Sequence, residues 1–128
     1  MKVLLDTHTL LWWWTDAPQL SSTARELIRD EANQILVSAA SAWEISTKYR
    51  LGKLAIGREA VERFDELVRL DGFGHLPVSY LHALKAGAMA SEHRDPFDRM
   101  LAAQSLLEGV PLVTLDTVFS EFKVAVVW

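Results

Sequence analysis

Short, largely apolar runs recur along the chain at Val3–Leu5, Ile35–Val37, Leu76–Val78, Leu112–Leu115 and Val124–Val127. The segments between them carry helical spacing: Thr9–Trp14, Thr23–Glu31, Ser38–Gly52, Arg58–Leu70, Ser79–Ala90 and Pro96–Glu108. A strand without polar alternation must be covered on both faces, and strands that alternate with helices pair in parallel through right-handed crossovers. The expected class is therefore α/β, a three-layer α/β/α sandwich around a parallel sheet of about five strands. Ligands of such sheets bind beyond the carboxyl ends of the strands. The chemistry should lie there.

At 128 residues the chain is long enough for one real core, so residues 1–128 are expected to form a single domain. Its longest unbroken apolar run, Leu10–Trp14, is far too short to span a bilayer. Asp6 interrupts the apolar start before a signal-peptide core can develop. The lack of cysteine excludes disulfides and thiolate metal sites, and it fits a reducing cytoplasm.

Two of the apolar runs end alike, as Leu5-Asp6-Thr7 and Leu115-Asp116-Thr117. Either aspartate alone reads as a helix cap. Together they would bring two carboxylates to one sheet edge. Glu44 has local explanations in a capping box with Ser41 and in an i,i+4 pair with Lys48. Against these stand the small neighbours Ala40 and Thr47, which would let its helix lie close to the sheet. In His93-Arg94-Asp95-Pro96-Phe97-Asp98-Arg99, Asp95 before proline is fully accounted for as an N-cap. Asp98 shares a face with Leu101, Ala102 and Ser105, the side expected to meet the sheet, and a buried carboxylate there needs a partner.

If Asp6, Glu44, Asp98 and Asp116 converge, their mutual repulsion calls for a cation. An all-oxygen set without cysteine or paired histidines suits Mg²⁺ or Mn²⁺ rather than Zn²⁺. Such an ion can bind a phosphate and activate a water for in-line attack. The net charge of −4 does not argue against a phosphodiester substrate, because without these acids the remaining Asp and Glu equal the 13 Lys and Arg. Lys48, Arg50, Lys53, Arg58, Arg94 and Arg99 are candidates for contacts to the phosphate backbone of such a substrate, with Lys48, Arg94 and Arg99 the nearest to the acids in sequence.

The pieces "LLDTHTLLWW", "VSAASAWEISTKYRLGKL", "LPVS", "HRDPFDRMLAAQS", "LVTLDTVFSEF" and a closing "VVW" resemble, in this order and over nearly the whole chain, the PIN-domain ribonucleases, specifically VapC-type toxins of bacterial toxin–antitoxin modules. The resemblance implies a five-stranded parallel sheet, a Mg²⁺- or Mn²⁺-dependent endoribonuclease, a homodimer, and a small antitoxin that blocks the site or builds a larger complex. The family's four acidic positions fall on Asp6, Glu44, Asp98 and Asp116, and its supporting hydroxyl falls on Thr114. Met89-Ala90 departs from the Leu-Pro that close relatives often carry there.

Trp12, Trp13 and Trp14 are consecutive on a helix and fan across roughly 200° of it, so all three cannot face the sheet. At least one is expected at an interface with another chain. His8, His75, His82 and His93 read as structural or surface residues. Two rival functions remain: phosphoaspartyl chemistry, which lacks its usual lysine at a late strand end, and a catalytically silent binding module.

Overall fold

The computed structural model describes residues 1–55 and 57–128. Its elements run β1 (Lys2–Leu5), α1 (Thr7–Thr15), α2 (Ser22–Arg29), β2 (Gln34–Ser38), α3 (Ala39–Arg50), α4 (Gly57–Glu62), α5 (Phe64–Leu70), β3 (Gly74–Leu76), α6 (Tyr80–Ala88), α7 (Pro96–Glu108), β4 (Leu112–Val113), a 3₁₀ helix (Thr117–Phe122) and β5 (Val126–Val127). The five strands lie in the order β3-β2-β1-β4-β5, every pair parallel.

Successive strand residues feed opposite layers, as the period of two requires. Val3, Leu5, Ile35, Val37 and Val113 join a core with Leu10, Leu11, Ala24, Ile28 and Val68. Leu4, Leu36, Leu76 and Leu112 join a second core with Leu101, Ala102, Phe119 and Phe122. Strands β1, β2 and β4 are therefore buried on both faces, and the expected sandwich is the observed one.

Local chemistry fixes some boundaries and tertiary packing the others. The helix expected at Pro96–Glu108 forms there: the Asp95 carboxylate accepts from the Phe97 and Asp98 N–H groups, and Gly109 ends it at φ 65°. The third strand ends at Leu76 rather than Val78, because Pro77 has no N–H for the ladder. The segment expected as one helix over Arg58–Leu70 is two, broken at Arg63 (φ −118°, ψ 23°).

The three tryptophans pack in part against their own chain. All are half-buried against their own core. Trp12 meets Trp128 edge-on at 5.8 Å, Trp14 meets Phe64 at 5.7 Å, and Trp13 lies 6.2 Å from Phe73. The Trp13 and Trp14 indoles both donate to Asp71 Oδ2, at 3.2 and 3.0 Å. A fan that wide is accommodated because α1 is flanked by α5 and by the chain's last residue, as well as by the sheet.

Candidate active site

The strand order reverses direction between β1 and β4, and the crevice beyond their carboxyl ends is the switch point of an open parallel sheet. The register pairs Leu4 with Leu112 and Leu5 with Val113. It therefore sets Thr114, not Asp116, opposite Asp6. The Thr114 hydroxyl donates to Asp6 Oδ2 at 2.8 Å, and the Asp6 N–H donates to the Val113 carbonyl at 3.1 Å.

Asp6 precedes α1 at the N-cap position, yet its side chain makes no capping hydrogen bond. It is buried, 4% exposed, and its pKa is pushed up to about 6. Burial is the main cause, partly offset by the Thr114 hydroxyl and by His8, and reinforced by the charges of Asp98 and Glu44. Glu44 and Asp98 are thus the acids whose charges bear on Asp6.

Glu44 lies on α3 and is only 2% exposed. The capping-box explanation fails, since Ser38 caps this helix through the Ala40 N–H at 2.9 Å and Glu44 lies in its second turn. The pair with Lys48 does form, Nζ to Oε2 at 2.5 Å, but on a buried carboxylate rather than an exposed one. Asp98 heads α7, and Oδ2 lies 2.8 Å from His93 Nε2. Its pKa is also raised, first by burial, then by Asp95 and Glu44, against the lowering effect of His93.

Asp116 stands apart from these three. The fourth strand stops at Val113, Leu115 is 51% exposed, and Asp116 is exposed with Oδ1 accepting from the Val118 N–H at 3.0 Å. The expectation that it lies just past a buried strand, as Asp6 does, is corrected: two residues of turn separate it from the ladder. Its backbone still touches the site, because its N–H donates to Thr114 Oγ1 at 3.0 Å. Thr114 thus links the buried aspartate to the exposed one.

Of the basic residues expected to meet RNA, Arg50, Lys53 and Arg94 are exposed and have no side-chain hydrogen-bond or ion-pair partner among the described residues, and Arg94 is the one nearest Asp98 in sequence. Lys48 is committed to Glu44. Arg99 is turned inward, onto backbone carbonyls of the chain. Both have intramolecular partners that a contact to RNA would have to share or displace. Sequence reasoning also missed a buried hydroxyl pair beside the acids, Thr7 Oγ1 to Ser41 Oγ at 2.8 Å, which ties the start of α1 to α3. Each is one residue or one turn from an acid, but only the tertiary approach of α1 to α3 pairs them.

The donor set suits a hard cation. It offers carboxylate oxygens only, and two of the three carboxylates are held above their ordinary range by burial and by neighbouring acids. In their present rotamers, no three acidic or histidine side chains among the described residues are gathered to hold an ion. Glu44 is turned to Lys48, so ligation requires it to leave the ammonium, whereas Asp98 holds His93 through Oδ2 alone and keeps Oδ1 without a hydrogen bond among the described residues.

Replacing Thr114 by valine keeps the shape and removes the hydroxyl. The buried Asp6 oxygen then loses its donor and the Asp116 N–H its acceptor. The expected cost is about 1–3 kcal/mol, read from urea unfolding at neutral pH. A loss below a few tenths would show that Asp6 does not depend on this bond.

A family model described as "PIN domain" matches residues 3–125. The chain belongs to the PIN-domain family. This PIN domain is 37% identical to Ribonuclease VapC16 of Mycobacterium tuberculosis over 78 residues, 58% of this chain and 55% of that protein, so the match spans about half of that relative. It is 28% identical to Ribonuclease VapC22 of the same organism over 118 residues, 89% of this chain and 86% of the relative. Among solved structures it is similar in fold to VapBC2 from Rickettsia felis bound to a promoter DNA fragment, with a TM-score of 0.71, 17% identity, and coverage of 99% of this PIN domain and 98% of that chain.

Proposed function

We propose that this PIN domain is a divalent-metal-dependent endoribonuclease and acts as the toxin of a toxin–antitoxin pair. The observation that carries the reading is Asp6, a buried carboxylate at the switch point. It is left uncapped and raised to about 6 beside two further acids. A carboxylate that only started a helix would accept from that helix, as Asp95 does. Relatives named Ribonuclease VapC support the ribonuclease reading.

Asp6, Glu44 and Asp98 are the proposed ligands of Mg²⁺ or Mn²⁺, with Asp116 as a fourth acid at the rim. When bound, such an ion supplies Lewis acidity toward the phosphodiester and an activated water for in-line attack. Thr114 holds Asp6 in place by its hydroxyl. Arg94, exposed beside the site, is the proposed contact to an RNA phosphate. A small antitoxin and a second copy of the chain are the proposed partners. Tyr80, Leu81 and Leu84, exposed together on α6, support association with another chain.

Incubating the purified protein with mixed cellular RNA tests the reading. Internal cleavage is expected with Mg²⁺ or Mn²⁺, none with excess EDTA, and recovery when metal is restored. Cleavage that persists in EDTA would remove the metal from the mechanism, and intact RNA under every condition would remove the activity.

A further inference from the structure

Arg99 lies in the first turns of α7, next to Asp98, and an arginine there would ordinarily project into solvent. Instead all five of its N–H groups are engaged. Nε donates to the Ala86 carbonyl at 2.8 Å, Nη1 to Ser91 at 3.1 Å and His93 at 3.0 Å, and Nη2 to Met89 at 2.7 Å and, more weakly, Gly87 at 3.4 Å. Ala86 and Gly87 belong to the last turn of α6, whose carbonyls lack partners within the helix. The other three lie on the irregular segment from Met89 to Asp95, which has few hydrogen bonds of its own: Ser91 N–H to Met89 O at 2.9 Å and His93 N–H to Ser91 Oγ at 3.1 Å. The guanidinium is therefore the centre about which this connection is wrapped.

His93 is where the wrapping reaches the carboxylates. Its carbonyl is held by Arg99, and its ring stands edge-on to Phe122 at 5.9 Å, the same ring over which the guanidinium carbon lies at 6.0 Å. With backbone and ring both fixed, Nε2 meets Asp98 Oδ2 at 2.8 Å. A carboxylate only accepts, so Nε2 carries the proton.

We propose that Arg99 is a positioning residue that sets the Asp98 carboxylate through His93. The route runs from the guanidinium to the 89–95 connection, then through the imidazole to Asp98. The inference rests on the reading of Asp98 as a metal ligand. Partners of a ligand that do not touch the metal orient it, and their loss typically weakens metal binding by about 10–100-fold. Arginine is required because a lysine ammonium, a compact charge with three donors, cannot span five carbonyls in a planar fork.

Two readouts at one fixed pH test this in the full chain. The first is the ¹⁵N shifts of the His93 ring in metal-free protein, and the second is Mn²⁺ affinity by titration calorimetry. Wild type should show the Nε2-protonated form, and Arg99→Lys and Arg99→Met should lose that single state while other histidine signals stay in place. His93→Ala leaves the guanidinium and its carbonyls untouched, so it reports even if the Arg99 variants fold poorly. It should bind Mn²⁺ about 10–100-fold more weakly. Arg99→Lys should match that loss, and the double variant should lose no more than the larger single change. His93→Gln, which keeps an N–H donor, should recover part of the affinity. Unchanged His93 shifts in Arg99→Lys, or wild-type Mn²⁺ affinity in His93→Ala, would overturn the proposal. A wild type that neither binds Mn²⁺ nor cleaves RNA overturns the functional reading instead, and the metal-free shifts still decide whether Arg99 holds His93 on Asp98.

Discussion

Asp6→Asn is expected to raise the melting temperature of the metal-free protein at neutral pH while abolishing RNA cleavage. The folded-state pKa of Asp6 is pushed up to about 6 from an ordinary 3.8. Between those values the folded chain binds the proton more tightly than the unfolded chain, so stability falls as pH rises through the window. Above pH 6 the whole penalty is present, on the order of 2–3 kcal/mol. Asparagine keeps an oxygen for the Thr114 hydroxyl and carries no charge. The variant should therefore melt several degrees above wild type near pH 7.5, with the advantage vanishing toward pH 4. Asp98, also raised, shifts the profile in the same direction. Added Mg²⁺ should stabilise wild type and leave Asp6→Asn nearly unmoved, since a ligand stabilises by binding the native state. Cleavage should fall by at least about 10²-fold, beyond the loss usual for a residue that only supports a ligand. Melting curves from pH 4 to 8, with EDTA and with Mg²⁺, provide the check. An apo variant that melts lower than wild type at pH 7.5 would return Asp6 to a structural role.

Lys48→Met should act in the opposite direction. The Glu44 side chain is 3% exposed and the Lys48 side chain 31%, so the substitution leaves a buried carboxylate without its cation. Breaking a buried pair from one side costs about 3–5 kcal/mol. Water reaching the partly exposed ammonium reduces this to roughly 2–3 kcal/mol. Methionine retains most of the aliphatic packing, so the loss reports the charge. Saturating Mg²⁺ should recover more stability in Lys48→Met than in wild type, because the ion no longer competes with a resident ammonium for Glu44. Equal metal responses in the two proteins would mean that Glu44 does not turn to the cation.

These opposite signs follow from what surrounds each carboxylate, and residue types alone do not reveal that. Both Asp6 and Asp116 follow leucine and precede threonine, yet one is buried and uncapped while the other caps a 3₁₀ turn in solvent. The difference is set by where the β1–β4 ladder ends. Its register places Thr114 across from Asp6. Strand length in a sheet depends on the neighbouring strand, so a two-residue strand read alone looks longer than it is.

The chain's own sequence determined the features that depend on near neighbours. Asp95-Pro96 and Gly109 bound α7 through caps within a few residues, and the unalternating apolar runs require a sheet covered on both faces. Asp6 and Asp116 drew attention only as a repeated strand ending, and Asp98 by its sheet-facing side, whereas Asp95 could be set aside because a cap accounts for it fully. Tertiary structure alone decided which donors those acids meet and where the arginine goes. Arg99 reads as a free surface cation until the end of α6 folds back and brings five carbonyls around it. His93 becomes the partner of Asp98 only through that same wrapping. The break at Arg63 and the disposal of three adjacent tryptophans have the same origin. Capping and periodicity act over about one helical turn, whereas a side chain's charge and hydrogen-bond environment is built by segments distant in sequence.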